Sequence, residues 1–257
     1  MKRGRQGNLS YGDRARNHAV LPDRLPALAQ FTSPPHKRKY ERNSNSEDAL
    51  TWSCFDLLAQ LPAPARHLAL TELWEDAFED CPLPACWAEH DIEVNVGKRF
   101  TCAGLSTEVD ASVECPGMLL FVEAKLYSSV DLGGRAERPN DQIAHKLNVG
   151  LRVAAERSRH GSSCDFYFAF LDVAPRQKLT KRVAIEEARR SEHGFHGKWR
   201  SAYWFNMYKD GVRGNRKLLK TALASLGDVD VSLVARRMGW LTWADLFKVV
   251  LRAAIRS

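Results

Sequence analysis

A short stretch of the chain places two carboxylates and a lysine at spacings that suit phosphodiester hydrolysis. Asp110 precedes the turn signal Pro116-Gly117, and the apolar run after that turn ends in Glu123 and, two residues later, Lys125. Two carboxylates that face each other repel, and the arrangement becomes favourable when a divalent cation bridges them. Hard oxygen ligands with room for water suit Mg²⁺ or Mn²⁺. The sequence therefore predicts a metal site at Asp110 and Glu123.

Lys125 shares a strand face with Glu123, because side chains alternate along a strand. An ammonium group there either helps to orient and deprotonate the attacking water or offsets charge in the transition state. The alternative is a surface ladder of alternating charge in which Lys125 makes ordinary salt bridges.

The two carboxylates meet only in one strand register. A loop of even length centred on Pro116-Gly117 sets Asp110 opposite Glu123, whereas an odd length moves Asp110 to the other face. We predict the even register.

Apolar periodicity predicts the elements that hold these residues. Residues 47–65 form a leading segment with a short apolar piece that Pro62 ends, and a helix runs from Arg66 to the residues before Pro82. Strands at 92–96, 105–115 and 118–126, a helix at 140–160 and a strand at 165–173 follow. Three basic or amphipathic helices come last, near 178–192, 215–226 and 233–250, the third with a break near Gly239.

Charge divides the chain into three blocks. Residues 1–46, 47–174 and 175–257 carry net charges of +7, −11 and +11, within a total of +7. We predict a basic disordered tail, an α/β core and a basic, mostly helical extension packed on that core. Basic blocks attract polyanions, and nucleic acid is the first polyanion to test.

Several protein classes are excluded by what the sequence lacks. It contains no P-loop, dinucleotide-binding or Gly-x-Ser-x-Gly motif, so any helicase or translocase would be a separate partner. No apolar run approaches the ~18 residues of a membrane helix. Six scattered cysteines indicate a reduced, cytoplasmic protein rather than a disulfide scaffold.

Residues 66–173 resemble the PD-(D/E)XK phosphodiesterase superfamily of restriction-endonuclease-like nucleases. The resemblance rests on Asp110, the turn, the apolar strand ending in Glu123 and Lys125, and the order helix, three strands, helix, strand. Val109 stands where the family name has proline. Membership implies that Asp110 and Glu123 bind metal and that Lys125 assists the attacking water.

The resemblance also implies a glutamate on the first core helix and a glutamine after the Glu-x-Lys strand. Glu72, Glu75 and Glu79 are the candidate glutamates, and we favour Glu75, which lies on the flank of the apolar stripe. Gln142, at the start of the next helix, is the candidate glutamine.

Taken together, the sequence predicts a metal-dependent nuclease that cuts DNA, with RNA as another candidate substrate and a role in defence or repair implied by the resemblance. The sequence does not decide between a monomer and a homodimer. The alternative is a nucleic-acid-binding or assembly subunit that keeps the fold without turnover.

Overall fold

The computed structural model describes residues 2–3, 9–10, 47–78, 81–88, 91–126, 141–161, 163–172, 208 and 217–256. Its helices and strands are, in chain order, β1 Lys2–Arg3, β2 Leu9–Ser10, α1 Glu47–Gln60, α2 Ala63–Ala77, β3 Glu93–Val96, β4 Arg99–Cys102, β5 Leu105–Glu108, β6 Ala111–Cys115, β7 Met118–Ala124, α3 Gln142–His160, β8 Asp165–Asp172, α4 Lys217–Leu223, α5 Val231–Arg236, β9 Met238–Thr242 and α6 Trp243–Arg256. Apart from the antiparallel pair β1 and β2, the predicted tail lies outside the described residues.

Five strands form one mixed sheet in the order β3-β6-β7-β8-β9. Neighbours are antiparallel from β3 to β7, whereas β8 is parallel to β7 and β9 is parallel to β8. A parallel pair requires a crossover connection, and α3 lies in the connection from β7 to β8. The mixed α/β class is therefore confirmed. The predicted order from α2 to β8 also appears, with β4 and β5 as an added hairpin.

Helices cover both faces of the sheet. Side chains alternate along β7, so that Leu120 and Val122 enter a first core with α1, α2 and α6. Leu119 and Phe121 enter a second core with α3, α4, α5 and β4. Glu123 follows the same alternation as Leu119 and Phe121, which places it on the α3 side of the sheet.

The leading segment predicted over 47–65 is instead a helix of 14 residues, α1, followed directly by α2. Five consecutive residues of α1, from Thr51 to Phe55, are buried. A helix that is buried on several sides loses the one-sided apolar period by which a sequence announces a surface helix. The prediction failed for that reason.

The single strand predicted over 105–115 is two strands in different sheets. β5 pairs with β4 in a separate hairpin, and β6 pairs with β3 and β7 in the main sheet. The chain bends at Asp110 between them. Val109 consequently packs in the second core while Ala111 packs in the first, whereas alternate residues of one continuous strand at 105–115 would share a face.

The last predicted helix is interrupted by a strand. α5 and α6 flank β9, which joins the main sheet beside β8. Gly239 permits this placement, because a Cβ there would lie 2.6 Å from an atom of the Phe78 ring. Part of the predicted C-terminal extension is thus an edge of the sheet. The helix expected near 178–192 lies outside the described residues, and α4 with the following 3-10 helix matches the one expected near 215–226.

None of the helices in the described part of the chain is long and apolar enough to cross a membrane.

Candidate active site

The β6–β7 turn sets the register of the carboxylates. Cys115 pairs with Met118, which leaves Pro116-Gly117 as a two-residue loop, and Gly117 adopts a φ of 91° that suits glycine. Ala111 pairs with Val122. The even register is therefore confirmed, and Asp110 precedes β6 at the level of Glu123.

Glu123 is fully buried near the end of β7 and is surrounded by donors. Its Oε1 accepts a hydrogen bond of 2.7 Å from Lys125 Nζ and another from Gln142 Nε2. Its Oε2 forms an ion pair with Lys146 Nζ. Burial alone would raise the pKa of Glu123, but the charges of Lys125 and Lys146 outweigh it and lower the pKa to about 2. Glu123 is therefore held as an anion in the interior.

Asp110 occupies the bend before β6 with its carboxyl partly buried. The backbone N–H of Ala124 donates to Oδ2 over 2.7 Å, which ties this carboxyl to the end of β7. Removal from water, and next the negative charge of Glu123, raise the pKa of Asp110 to about 8. Oδ1 has no hydrogen-bond partner among the described residues. The second carboxyl is thus coupled to the first and keeps one oxygen open.

Lys125 follows β7, and its backbone N–H donates to Leu171 O on β8 over 2.7 Å. Its side chain is buried and lies between two glutamates, with Nζ 2.7 Å from Glu123 Oε1 and 3.4 Å from Glu47 Oε1. Desolvation would lower the pKa of Lys125, but Glu123 and then Glu47 raise it well above its usual range. Lys125 is therefore a protonated donor at neutral pH.

The glutamate that reaches this site comes from α1. Glu47 is the first residue of α1, and besides contacting Lys125 it accepts a hydrogen bond of 2.8 Å at Oε2 from Leu126 N. Glu47 was not among the predicted site residues, because the segment 47–65 was predicted to hold only a short apolar piece. The available signal was an acidic pair, Glu47 and Asp48, immediately before an apolar run, which is typical of a helix start.

Glu75, the favoured first-helix glutamate, does not join the site. It is exposed on α2 and makes no hydrogen bond or ion pair with Asp110, Glu123 or Lys125. Glu72 forms an ion pair with Arg252 on α6, and Glu79 lies outside the described residues. The physical reason is the extra helix: α2 packs against α6 and β9, and α1 takes the place beside Lys125.

The N-terminus of α3 is aimed at Glu123. The Asp141 side chain caps the helix by accepting from Ala144 N over 2.9 Å, and the Tyr208 hydroxyl donates to its other oxygen. Gln142, the candidate glutamine, contacts Glu123. Lys146, one turn later, is buried and also donates to Glu108 O over 2.8 Å. Its pairing with Glu123 was not anticipated.

Two carboxylates of this site are of the type that binds a hard divalent cation, and both oxygens of one of them, Glu123, already contact Lys125, Gln142 or Lys146. Asp110 and Glu123 are electrostatically coupled, and Asp110 keeps one oxygen without a hydrogen-bond partner in the described part of the chain. Mg²⁺ characteristically takes one or two carboxylates and completes its shell with water and substrate oxygens. Among the described residues there is no group of three or more His, Cys, Asp or Glu arranged to hold a metal. Any cation here would therefore depend on these two carboxylates.

No protein-family model matches the chain, and neither a curated protein nor a solved structure is significantly similar to it.

Proposed function

We propose that the protein is a metal-dependent nuclease of the restriction-endonuclease-like, PD-(D/E)XK type that hydrolyses DNA phosphodiester bonds. One observation carries the proposal: Asp110, at the bend before β6, is electrostatically coupled to Glu123 on the adjacent strand β7, and the Lys125 ammonium is bonded to Glu123. The order of α2, three sheet strands, α3 and β8 supports the same assignment.

Each side chain of the site has a distinct role in this proposal. Asp110 and Glu123 supply oxygen ligands, and when bound, a divalent cation contributes charge stabilisation at phosphorus and a more acidic water. Lys125 is protonated, so it donates to a phosphoryl oxygen and offsets developing charge rather than acting as a base. Gln142 and Lys146 hold the Glu123 carboxylate in a fixed orientation.

The substrate assignment rests on charge. The blocks 1–46 and 175–257 are both strongly basic, and the acidic site lies in the block between them. Basic segments bind the phosphate backbone without reading base sequence. We therefore expect cleavage with little sequence preference.

A cleavage assay with a matched lysine variant tests the proposal. The full chain is incubated with plasmid, branched DNA and RNA in the presence of Mg²⁺ or Mn²⁺, with and without a chelator. Lys125→Ala should reduce metal-dependent DNA cleavage at least ~100-fold, because it removes a charged donor from the reacting phosphate.

Lys98→Ala is the control, since Lys98 also donates over 2.7 Å to a buried glutamate, Glu114, outside the site. Equal loss in both variants, or chelator-resistant cleavage, would refute the proposal. Cleavage of RNA alone would reassign the substrate.

The second candidate is a nucleic-acid-binding or assembly subunit without turnover. The observation that favours it is the set of three donors from Lys125, Gln142 and Lys146, which already occupies Glu123. This candidate predicts DNA binding that Lys125→Ala leaves unchanged, together with no cleavage of any substrate under either metal. Mg²⁺ or Mn²⁺ binding to the full chain in calorimetry that is lost in Glu123→Gln would favour the nuclease.

A further inference from the structure

An open pocket of about 400 Å³ lies on the α3 side of the sheet, away from the candidate active site. It is bounded by the second half of α3, the β4–β5 turn, the start of β8 and the α4–α5 connection. Arg152 and Arg159 lie 10 and 17 residues beyond Gln142 on α3. At 1.5 Å per residue these distances are roughly 15 and 25 Å along the helix. The pocket is thus a separate feature of the fold.

The floor of the pocket is apolar and partly aromatic. Phe166 at the start of β8 and Leu151 on α3 contribute to it, together with Leu226 and Val229 from the α4–α5 connection. Gly150 brings α3 close to this floor, because a Cβ there would lie 2.1 Å from the Phe166 ring. A volume of several hundred Å³ with apolar walls and a few polar groups is the usual form of a small-molecule site.

Two arginines at the pocket form no ion pair with a described carboxylate. Arg152 Nη2 donates to Ser225 O over 3.1 Å and to Ser225 Oγ over 3.4 Å, and its Nε has no hydrogen-bond partner among the described residues. Arg159 is exposed, and its Nε donates to the carbonyl of Ala155 in its own helix over 3.4 Å. A guanidinium without a carboxylate partner beside a pocket is suited to bind an anion, because it presents several N–H donors in one plane.

Other charged side chains also lie near the pocket. Arg237 pairs with Asp165 over 2.9 Å. Glu156 lies on α3 between Arg152 and Arg159 and is exposed. The surroundings of the pocket therefore carry a net positive charge.

We propose that this pocket binds a nucleoside monophosphate. The guanidinium groups of Arg152 and Arg159 take the phosphate, and the lining around Phe166 takes the base and sugar. This binding is independent of the proposed nuclease activity.

Calorimetry on the full chain, without divalent metal, tests the proposal. The probes are the four common nucleoside 5′-monophosphates, the matching nucleosides and inorganic phosphate. We expect at least one nucleotide to bind ~10-fold more tightly than either its nucleoside or phosphate, because both parts of the pocket contribute. No nucleotide binding, or binding no tighter than that of inorganic phosphate, overturns the proposal.

Single substitutions test whether the nucleotide binds in this pocket. Arg152→Ala should weaken it at least ~10-fold, about 1.4 kcal/mol. Ala155→Phe should do the same by filling the pocket from the exposed side of α3 while leaving every charge in place. Arg252→Ala, on α6 at the opposite sheet face, and Lys125→Ala, in the candidate active site, should bind as the unmodified chain does. Loss of binding in Lys125→Ala, or unchanged binding in both Arg152→Ala and Ala155→Phe, contradicts the proposal.

Discussion

Two buried glutamates on neighbouring strands of one sheet are held by similar donors but differ in what surrounds them. The Glu114 cluster consists of Glu114 on β6 with Asn95, Lys98, Ser112 and Arg157. The Glu123 cluster consists of Glu123 on β7 with Asp110, Lys125, Gln142, Lys146 and Glu47. Each glutamate thus receives two cationic side chains and at least one neutral donor.

The difference lies in the other carboxyl groups. The pKa of Glu114 is lowered because hydrogen bonds from Lys98, Arg157 and Ser112 outweigh its burial, and Glu93, which faces it from β3, is exposed to water. The Glu123 cluster includes Asp110, whose pKa burial and Glu123 raise to about 8. A glutamate fully balanced by cations and neutral donors stabilises the fold, whereas a second carboxyl with a raised pKa beside an ion pair is a group whose proton a bound divalent cation would displace.

The largest expected effect is a difference in DNA cleavage between variants of the two clusters. Glu123→Gln should reduce Mg²⁺-dependent DNA cleavage at least ~1,000-fold, because it removes one of the two carboxylate ligands of the proposed site. Glu114→Gln should keep cleavage within about threefold of the unmodified chain at temperatures where it is folded. Cleavage rates on one plasmid substrate measure both. Activity in Glu123→Gln close to that of the unmodified chain would show that the clusters do not differ in this way.

The next effect concerns stability and has the same order. Glu123→Gln should lower the free energy of unfolding by about 3 kcal/mol, because Lys125 and Lys146 are both buried and lose the carboxylate between them. Glu114→Gln should cost less, about 1–2 kcal/mol, because Lys98 and Arg157 are partly exposed and water screens their charges. Urea unfolding followed by circular dichroism measures both values. A larger loss in Glu114→Gln would mean that its cluster is the main structural one.

Acid should remove the stability difference at Glu114. Its folded pKa is lowered, so the contribution is present above the unfolded pKa of about 4.3 and is lost as the pH falls through the folded value. The gap in unfolding free energy between the unmodified chain and Glu114→Gln should therefore shrink below about pH 4. A gap that is constant down to pH 2 would assign the effect of the substitution to packing instead.

The smallest expected effect tests which helix serves the site. Glu47→Gln should reduce cleavage about tenfold, because Glu47 positions Lys125 and the chain at Leu126. Glu75→Gln is the matched control on α2 and should leave the rate unchanged, since Glu75 is exposed. Because Glu47 acts through Lys125, rescue by Glu47→Asp would distinguish positioning from a general structural role. A larger loss of cleavage in Glu75→Gln than in Glu47→Gln would mean that α2, and not α1, supplies the glutamate that serves the site.

Sequence alone determined the part of the site that depends on local chain geometry. The period of two along a strand and the two-residue turn at Pro116-Gly117 were sufficient to bring Asp110 to the level of Glu123. The choice of Gln142, which contacts Glu123, came from the family resemblance. The mixed α/β class followed from the alternation of apolar patterns along the chain.

Only the tertiary structure decided which distant residues complete the site and the sheet. Glu47 meets Lys125 across 78 residues of sequence, Lys146 is drawn into the interior by Glu123, and β9 pairs with β8 although its sequence continues an apolar helical pattern. These contacts form where faces buried on several sides pack together, and such faces carry no one-sided apolar period. Periodicity reports the local alternation of side chains, whereas the closure of long loops depends on the packing of the whole molecule.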